Sequence, residues 1–175
     1  NLARSIHESG RLNLGWVADT RNDRLKLVHD RWSQTRTTTD YKEILNDPDL
    51  IAVVVATPPS THRQIIEEAI AAGKNVMVTK PLANSVAESQ HLADMAENAG
   101  VNLMVDHTFL FSDAVISLRN LIESGEIGDI LYYDSVRINL GLFQHDTDVV
   151  WDLAVHDLSI LNWVCKQLPQ SVSAT

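Results

Sequence analysis

A single cysteine, Cys165, stands in the 175 residues, so no internal disulfide can staple the fold, and the chain suits a reducing compartment, the cytoplasm. Positive charge is also short. Against 23 aspartates and glutamates stand 14 lysines and arginines, a formal charge of −9. The acids are spread along the chain, and such a surface repels phosphate backbones, which argues against nucleic acid as a partner. No apolar run, the one over 51–56 included, comes near the ~20 residues a membrane helix needs, so no membrane is expected either. Glycine is sparse: the seven present form no clustered, phosphate-cradling turn. Function has to be sought in other residues. What is present is a 45% hydrophobic content, ordinary for a globular protein and enough to bury a core, in a length that fits one domain or pieces of two.

Strand and helix signals alternate along the chain. Residues 12–18 form an apolar run closed by Asp19, and 21–34 carry a helical pattern through Leu25, Val28 and Trp32. Tyr41–Leu45 predicts a short helix stopped by Asn46-Asp47-Pro48, and 51–56 is continuous and β-branched, as in a strand covered on both faces. Ser60 or Thr61 is expected to cap a helix running to Ala72 and ended by Gly73. Residues 75–79 predict a strand, 85–98 a helix with Ser85 as cap, Glu88 three residues on and Gly100 as stop, and 101–106 a further strand. Such alternation implies an α/β fold with a parallel sheet wound on both faces. After about His107 the texture changes. Residues 115–123 predict a helix ended by Gly125, and 130–140 a longer alternating strand whose polar residues Tyr133, Ser135, Arg137 and Asn139 share one face, placed to line a cleft. No linker or repeat marks a boundary. The junction is placed at 109–112, dividing a first domain, 1–110, from the start of a second, 111–175.

Ligands of open α/β sheets bind at the carboxyl ends of the strands. Asp19 closes a strand where an acid hydrogen-bonds an adenosine ribose and repels the extra phosphate of NADP; the alternative is a plain cap on the next helix. Thr57-Pro58-Pro59-Ser60 follows another strand, and its two prolines withhold amides, leaving Thr57 and His62 as polar contacts for a ribose or nicotinamide. Lys80 ends the 75–79 strand, with Pro81 biasing it to extended backbone that faces the same cleft; the alternative is a solvated surface lysine. In Trp151-Asp152-Leu153-Ala154-Val155-His156-Asp157 the acid Asp152 and the imidazole His156 are i and i+4, on one face if the stretch is helical. An acid near an imidazole raises its basicity and orients it, which suits a general base; the alternative is a hydrogen-bonded pair inside a helix interface. Lysine, acid and imidazole beside a redox cofactor suggest a dehydrogenase.

Asn1-Leu2-Ala3-Arg4, Ala56-Thr57-Pro58-Pro59-Ser60-Thr61-His62, Thr79-Lys80-Pro81 and Asp152-Leu153-Ala154-Val155-His156-Asp157 occur in an order and spacing that resembles the Gfo/Idh/MocA oxidoreductases over essentially the whole chain. The resemblance implies a Rossmann-type doubly wound parallel sheet that binds NAD(P), here without its first strand and glycine-rich turn, followed by the beginning of a second α/β domain for substrate and oligomerisation. On that ground the chain is expected to be an internal fragment of a longer enzyme that forms a homo-oligomer. By position Lys80 resembles the family's catalytic lysine, and Asp152 and His156 its acid and histidine in the substrate pocket. Asp19, Thr57, Pro58, Pro59, His62 and Lys80 would border the cofactor, which is NAD on the strength of Asp19, with NADP tolerated through Arg21 nearby. The stretches His107-Thr108-Phe109-Leu110 and Asn139-Leu140-Gly141-Leu142 to Trp151-Asp152 look closest to members acting on nucleotide-linked amino sugars or their uronic acids, with His107, Arg137 and Asn139 as substrate contacts. Thr79 departs from the pattern, standing where the family usually has glutamate.

The expected reaction is reversible hydride transfer between a secondary alcohol of a sugar and the nicotinamide, with His156 taking the hydroxyl proton, Asp152 orienting it and Lys80 hydrogen-bonding the reacting oxygen. Three rivals stand beside it: a non-catalytic NAD-binding regulator of the same fold, a dehydrogenase of an unlinked sugar or polyol, and a metal-dependent hydrolase using Asp106/His107, His145/Asp146 and Asp152/His156. The dispersed spacing of those pairs matches no ligand motif, so no metal is expected.

Overall fold

Strands of three to five residues build two parallel sheets in the computed structural model, which describes residues 2–138, 148–166 and 169–173. Asn139, and the His145/Asp146 pair of the metal alternative, lie outside the described residues. Strand β1 (Trp16–Ala18) pairs with β2 (Arg36–Thr38), while β3 (Ala52–Val55), β4 (Asn75–Thr79) and β5 (Leu103–Asp106) pair in that order. Every described pairing is parallel, so each strand must be followed by a crossover. Helices supply it: α2 (Asn22–Arg31) between β1 and β2, α3 (Tyr41–Leu45) between β2 and β3, α4 (Pro59–Ala71) and α5 (Val86–Ala99) after β3 and β4. A first helix, α1 (Leu2–Glu8), precedes them. The α/β architecture of parallel strands expected from the alternation is the one found, and it is the Rossmann-like one that the resemblance implies.

The core follows from two periodicities. Along β4 the inward residues Val76 and Val78 alternate with half-buried ones, as the pleat requires. Ile66, Ala69 and Ile70 of α4 and Leu92 and Ala96 of α5 recur at helical spacing and close over them in one cluster with Val55 and Ala83. Capping fixes where α5 begins and ends. Ser85 Oγ accepts the Glu88 N–H at 3.2 Å, Glu88 Oε2 accepts the Asn84 N–H at 3.2 Å, and Gly100 closes the helix at φ +68°, a left-handed conformation that favours glycine.

Two local expectations are corrected. Neither Ser60 nor Thr61 caps α4. The helix begins at Pro59, where a missing N–H costs nothing because that donor has no intrahelical partner, and Thr61 Oγ1 turns back to the Pro58 carbonyl at 2.8 Å. Residues 130–138 form no strand among the described residues. Their alternating polar side chains Ser135 and Arg137 bind Asp157 instead, so side-chain contacts stand where a backbone ladder was expected. Strand β2, polar throughout as Arg36-Thr37-Thr38, carries no apolar signal in the sequence.

The two sheets meet at one turn. Asp47 Oδ2 accepts the Trp16 Nε1–H of β1 at 2.7 Å and pairs with Arg36 of β2. The Asp47 carbonyl and the Leu50 carbonyl accept the ammonium of Lys74 at 2.7 and 2.9 Å, and Lys74, only 7% exposed, leads into β4. Beyond β5 lie a 3-10 turn (Thr108–Phe111), α6 (Asp113–Glu123), a π turn (Val150–Ala154) and α7 (Val155–Cys165). No helix among the described residues is long and apolar enough to cross a membrane.

Candidate active site

Lys80 follows the last residue of β4, and its cis peptide bond to Pro81 leads out of the sheet. Its ammonium donates to Asp152 twice, to Oδ1 and to the backbone carbonyl, both at 2.6 Å. An ammonium has three N–H groups; the third has no partner among the described residues. The π turn presents both Asp152 acceptors together. Asp148 Oδ1 accepts the Val150 and Trp151 N–H groups at 2.9 Å each and opens that turn. Its wider i→i+5 register breaks the simple i, i+4 alignment expected of Asp152 and His156. The Asp152 carboxylate lies on Lys80, and no hydrogen bond joins it to His156 among the described residues.

His156, on α7, is 9% exposed. Its Nδ1 is buried without a partner among the described residues, and its ring meets Phe109 edge to face, centroids 4.7 Å apart at 76°. Burial first, then the positive charges of Lys80 and Arg137, hold its pKa below the usual histidine value. The imidazole is therefore kept neutral, the form that accepts a proton. His107, just after β5, has the same character: Nδ1 is buried without a partner, and burial depresses its pKa against the opposing charge of Asp106. A recess of about 250 Å³ opens between His107 and the helical residues Val150, Trp151, Val155, Leu158 and Ser159. Arg137 is committed elsewhere. It holds Asp157 in a fork, Nε to Oδ2 at 2.8 Å and Nη2 to Oδ1 at 3.0 Å, and this keeps the Asp157 carboxyl below the ordinary carboxylate range.

On the other sheet, Asp19 follows β1. Its N–H donates to Thr38 O at 3.2 Å, and Oδ1 accepts the Arg21 N–H at 2.8 Å, leaving Oδ2 without a partner among the described residues. Asp19 thus steadies the start of α2 and still offers an acceptor. Thr57, past β3, shares a hydrogen bond with Thr61 between their hydroxyls at 2.8 Å. His62 was expected to touch a cofactor, and the structure corrects this. It is completely buried, with Nδ1 2.9 Å from Pro81 O and Nε2 2.9 Å from Thr57 O. It bolts the turn after β3 to the turn after β4 and has no ring nitrogen left to offer.

With parallel strands bearing Asp19, Thr57 and Lys80 at their carboxyl ends, comparison with known proteins decides the family. The profile of the oxidoreductase family with an NAD-binding Rossmann fold, Gfo/Idh/MocA, matches residues 1–107. This chain belongs to that family. It is 31% identical over 153 residues to scyllo-inositol 2-dehydrogenase (NAD(+)) of Bacillus subtilis (strain 168), an overlap of 85% of this chain and 43% of that protein. It is 32% identical over 152 residues to inositol 2-dehydrogenase of Acidothermus cellulolyticus, an overlap of 85% and 44%. In fold it is similar to apo scyllo-inositol dehydrogenase of Lactobacillus casei, with a TM-score of 0.79 at 18% identity over 94% of this chain and 51% of that one. The chain spans about half the length of these relatives. As a Gfo/Idh/MocA chain it carries the family's NAD-binding fold in its first 107 residues.

In this Gfo/Idh/MocA chain the structure brings Lys80 and Asp152 into contact and sets His156 and His107 near them. Phe109 and Asp157 went unrecognised as neighbours of the site. Asp157, adjacent to His156, carried a weak signal, but its partner Arg137 lies 20 residues away in sequence.

Proposed function

We propose that the intact protein is an NAD(P)-dependent dehydrogenase that oxidises a secondary alcohol on the ring of a polyol or sugar, reversibly. The observation that carries this is the Lys80 ammonium fixed on Asp152 at the carboxyl end of a Rossmann strand, with the buried His156 imidazole nearby. The residues present fit the cofactor. Asp19 Oδ2 is a spare acceptor for ribose hydroxyls and repels a 2′-phosphate, while the rigid Thr57-Pro58-Pro59 turn and Lys80 border the reacting end. Bound nicotinamide supplies the hydride acceptor. The chain's own residues do the rest: His156 accepts the hydroxyl proton, Lys80 hydrogen-bonds the oxygen as it gains negative charge, and Asp152 holds Lys80 in place.

Inositol dehydrogenases among the relatives support a cyclic polyol or unlinked sugar as the substrate class. The finer alternative, a UDP-linked N-acetylamino sugar or its uronic acid, draws on the resemblance of residues 107–110 and 139–142, the latter outside the described residues. Steady-state turnover of the intact protein with inositols, free hexoses, UDP-N-acetylamino sugars and their uronic acids discriminates between them. NAD is expected to bind more tightly than NADP and to be reduced with at least one cyclic polyol or sugar. No reduction of either dinucleotide across the panel, with the dinucleotide bound, would make the protein a non-catalytic binder.

A further inference from the structure

A general-base imidazole is ordinarily oriented by a hydrogen bond from its far nitrogen to a carboxylate or carbonyl. His156 lacks one among the described residues: Nδ1 is buried and unpartnered, and the acid four residues earlier is on Lys80. The ring contact is Phe109, at 4.7 Å and 76°. That same phenyl ring carries the Arg137 guanidinium 4.9 Å from its centroid, in the range where a cation is drawn to an aromatic ring. Arg137 is fixed in turn by its fork on Asp157, which also accepts the Ser135 hydroxyl at 2.8 Å. Phe109 sits in a 3-10 turn closed by Leu110 N–H to His107 O at 2.9 Å and Ser112 N–H to Phe109 O at 3.1 Å, so its backbone is held as well.

We infer that Phe109 is a positioning residue for His156, its ring steadied by Arg137 and setting the plane of the imidazole where a hydrogen-bonded carboxylate would otherwise do so. This rests on His156 being the proton acceptor. Arg137, expected as a substrate contact, then acts through Phe109. An aromatic contact fixes the ring plane without selecting a tautomer, since no hydrogen bond engages Nδ1 among the described residues. It also leaves the charge on His156 to its surroundings. Lys80 at the end of β4, Arg137 from the 130–138 segment and His107 after β5 oppose protonation, and Asp157 on α7 favours it. Asp152, also near, is occupied by Lys80.

The test uses the intact protein as wild type, Phe109→Leu and Phe109→Tyr, with Phe109→Met replacing the leucine variant if that does not fold. His156 is titrated by NMR with labelled histidine, and kcat, KM and thermal midpoint are measured on the same samples. For Phe109→Leu, kcat is expected to fall roughly tenfold with KM within about twofold, a misorientation rather than lost binding. The His156 midpoint should rise by roughly half a pH unit as water reaches the ring. Phe109→Tyr, which keeps the ring, should restore both. An unchanged midpoint and kcat in the leucine variant, or a lowered thermal midpoint alone, overturns the inference. Full turnover in folded His156→Ala protein would instead remove the proton-acceptor role, while the titration of Phe109→Leu would still report whether Phe109 governs the imidazole.

Discussion

The contact between Lys80 and Asp152 joins the end of β4 to a turn 72 residues later, and replacing its members one at a time and together measures what it does. Their side chains are 23% and 22% exposed, so the pair lies between two regimes. Exposed pairs contribute about 0–1 kcal/mol, and breaking a fully buried pair from one side costs about 3–5 kcal/mol. The 2.6 Å charge-assisted contact of the carboxylate in this intermediate setting leads us to expect Asp152→Asn, which leaves the backbone carbonyl contact in place, to cost about 2 kcal/mol, within the range of about 1.5–3 kcal/mol for hydrogen bonds to charged groups. At about 2–4 °C per kcal/mol for a domain of this size, the melting midpoint should fall by roughly 4–8 °C. Combined with Lys80→Met in a double-mutant cycle, the pair should show a coupling of about 1–2 kcal/mol by urea or thermal unfolding, and additivity within about 0.5 kcal/mol would refute it. Turnover on the same four proteins separates two roles for the acid. If Asp152 works by holding Lys80, Asp152→Asn should lower kcat by roughly tenfold or more beside Lys80 and change little beside Met, since groups acting as a unit are not additive. Equal losses in both backgrounds would show that Asp152 acts on something other than the lysine.

His156→Ala should depress kcat by roughly 10² or more with NAD affinity little changed, as for loss of a general base, and intact turnover in the folded variant would refute the assignment. The acid limb of kcat/KM should lie below pH 6.5, because burial and nearby cations lower the pKa from 6.5, and His156→Ala should abolish that limb. The stability sign follows the same shift: the contribution from keeping His156 neutral is complete above the unfolded value of 6.5 and is lost as pH falls through the lower native value, which urea midpoints across the range will show. Lys74→Met would leave the Leu50 carbonyl unpaired in a partly buried setting, and the Asp47 carbonyl with only the Leu50 N–H at 3.3 Å, and should cost about 1–3 kcal/mol; a loss below about 0.5 kcal/mol would mean water replaces the ammonium.

Local chemistry made part of this architecture legible. The Ser85 cap with Glu88 three residues on, and Gly100 at positive φ, are decided within a few residues, as is the short helix Tyr41–Leu45 stopped before Pro48. Strand β2 was invisible because three polar residues become a strand only through pairing with β1. Asp19 does not cap α2, whose N-cap is Arg21 without a side-chain cap bond; one of its carboxylate oxygens takes the Arg21 amide and the other is left without a partner among the described residues. Residue type and sequence position pointed to Lys80, Asp152 and His156, and the structure brings the three near one another, but the pairing of Asp152 depended on a π turn that helical spacing does not foresee. His62 misled for a related reason: a histidine beside a ligand-bearing turn resembles a contact, and only the carbonyls of Thr57 and Pro81 on its two nitrogens reveal a bolt.

Asp47 gives the molecule its internal scale. Asp19 stands at the end of the β1–β2 sheet and Lys80 at the end of the β3–β4–β5 sheet, and no ladder joins the two among the described residues. Their relative placement draws on a side chain and carbonyl that grip Trp16, Arg36 and Lys74 at once, together with the Tyr41 and Lys42 contacts to Glu68. A ligand that touches both residues has to match the spacing between the two sheets, and the turn between α3 and β3 helps to set it. Lengthening or shortening that turn by one residue would detune the reach of the whole cleft while leaving every side chain in it unchanged.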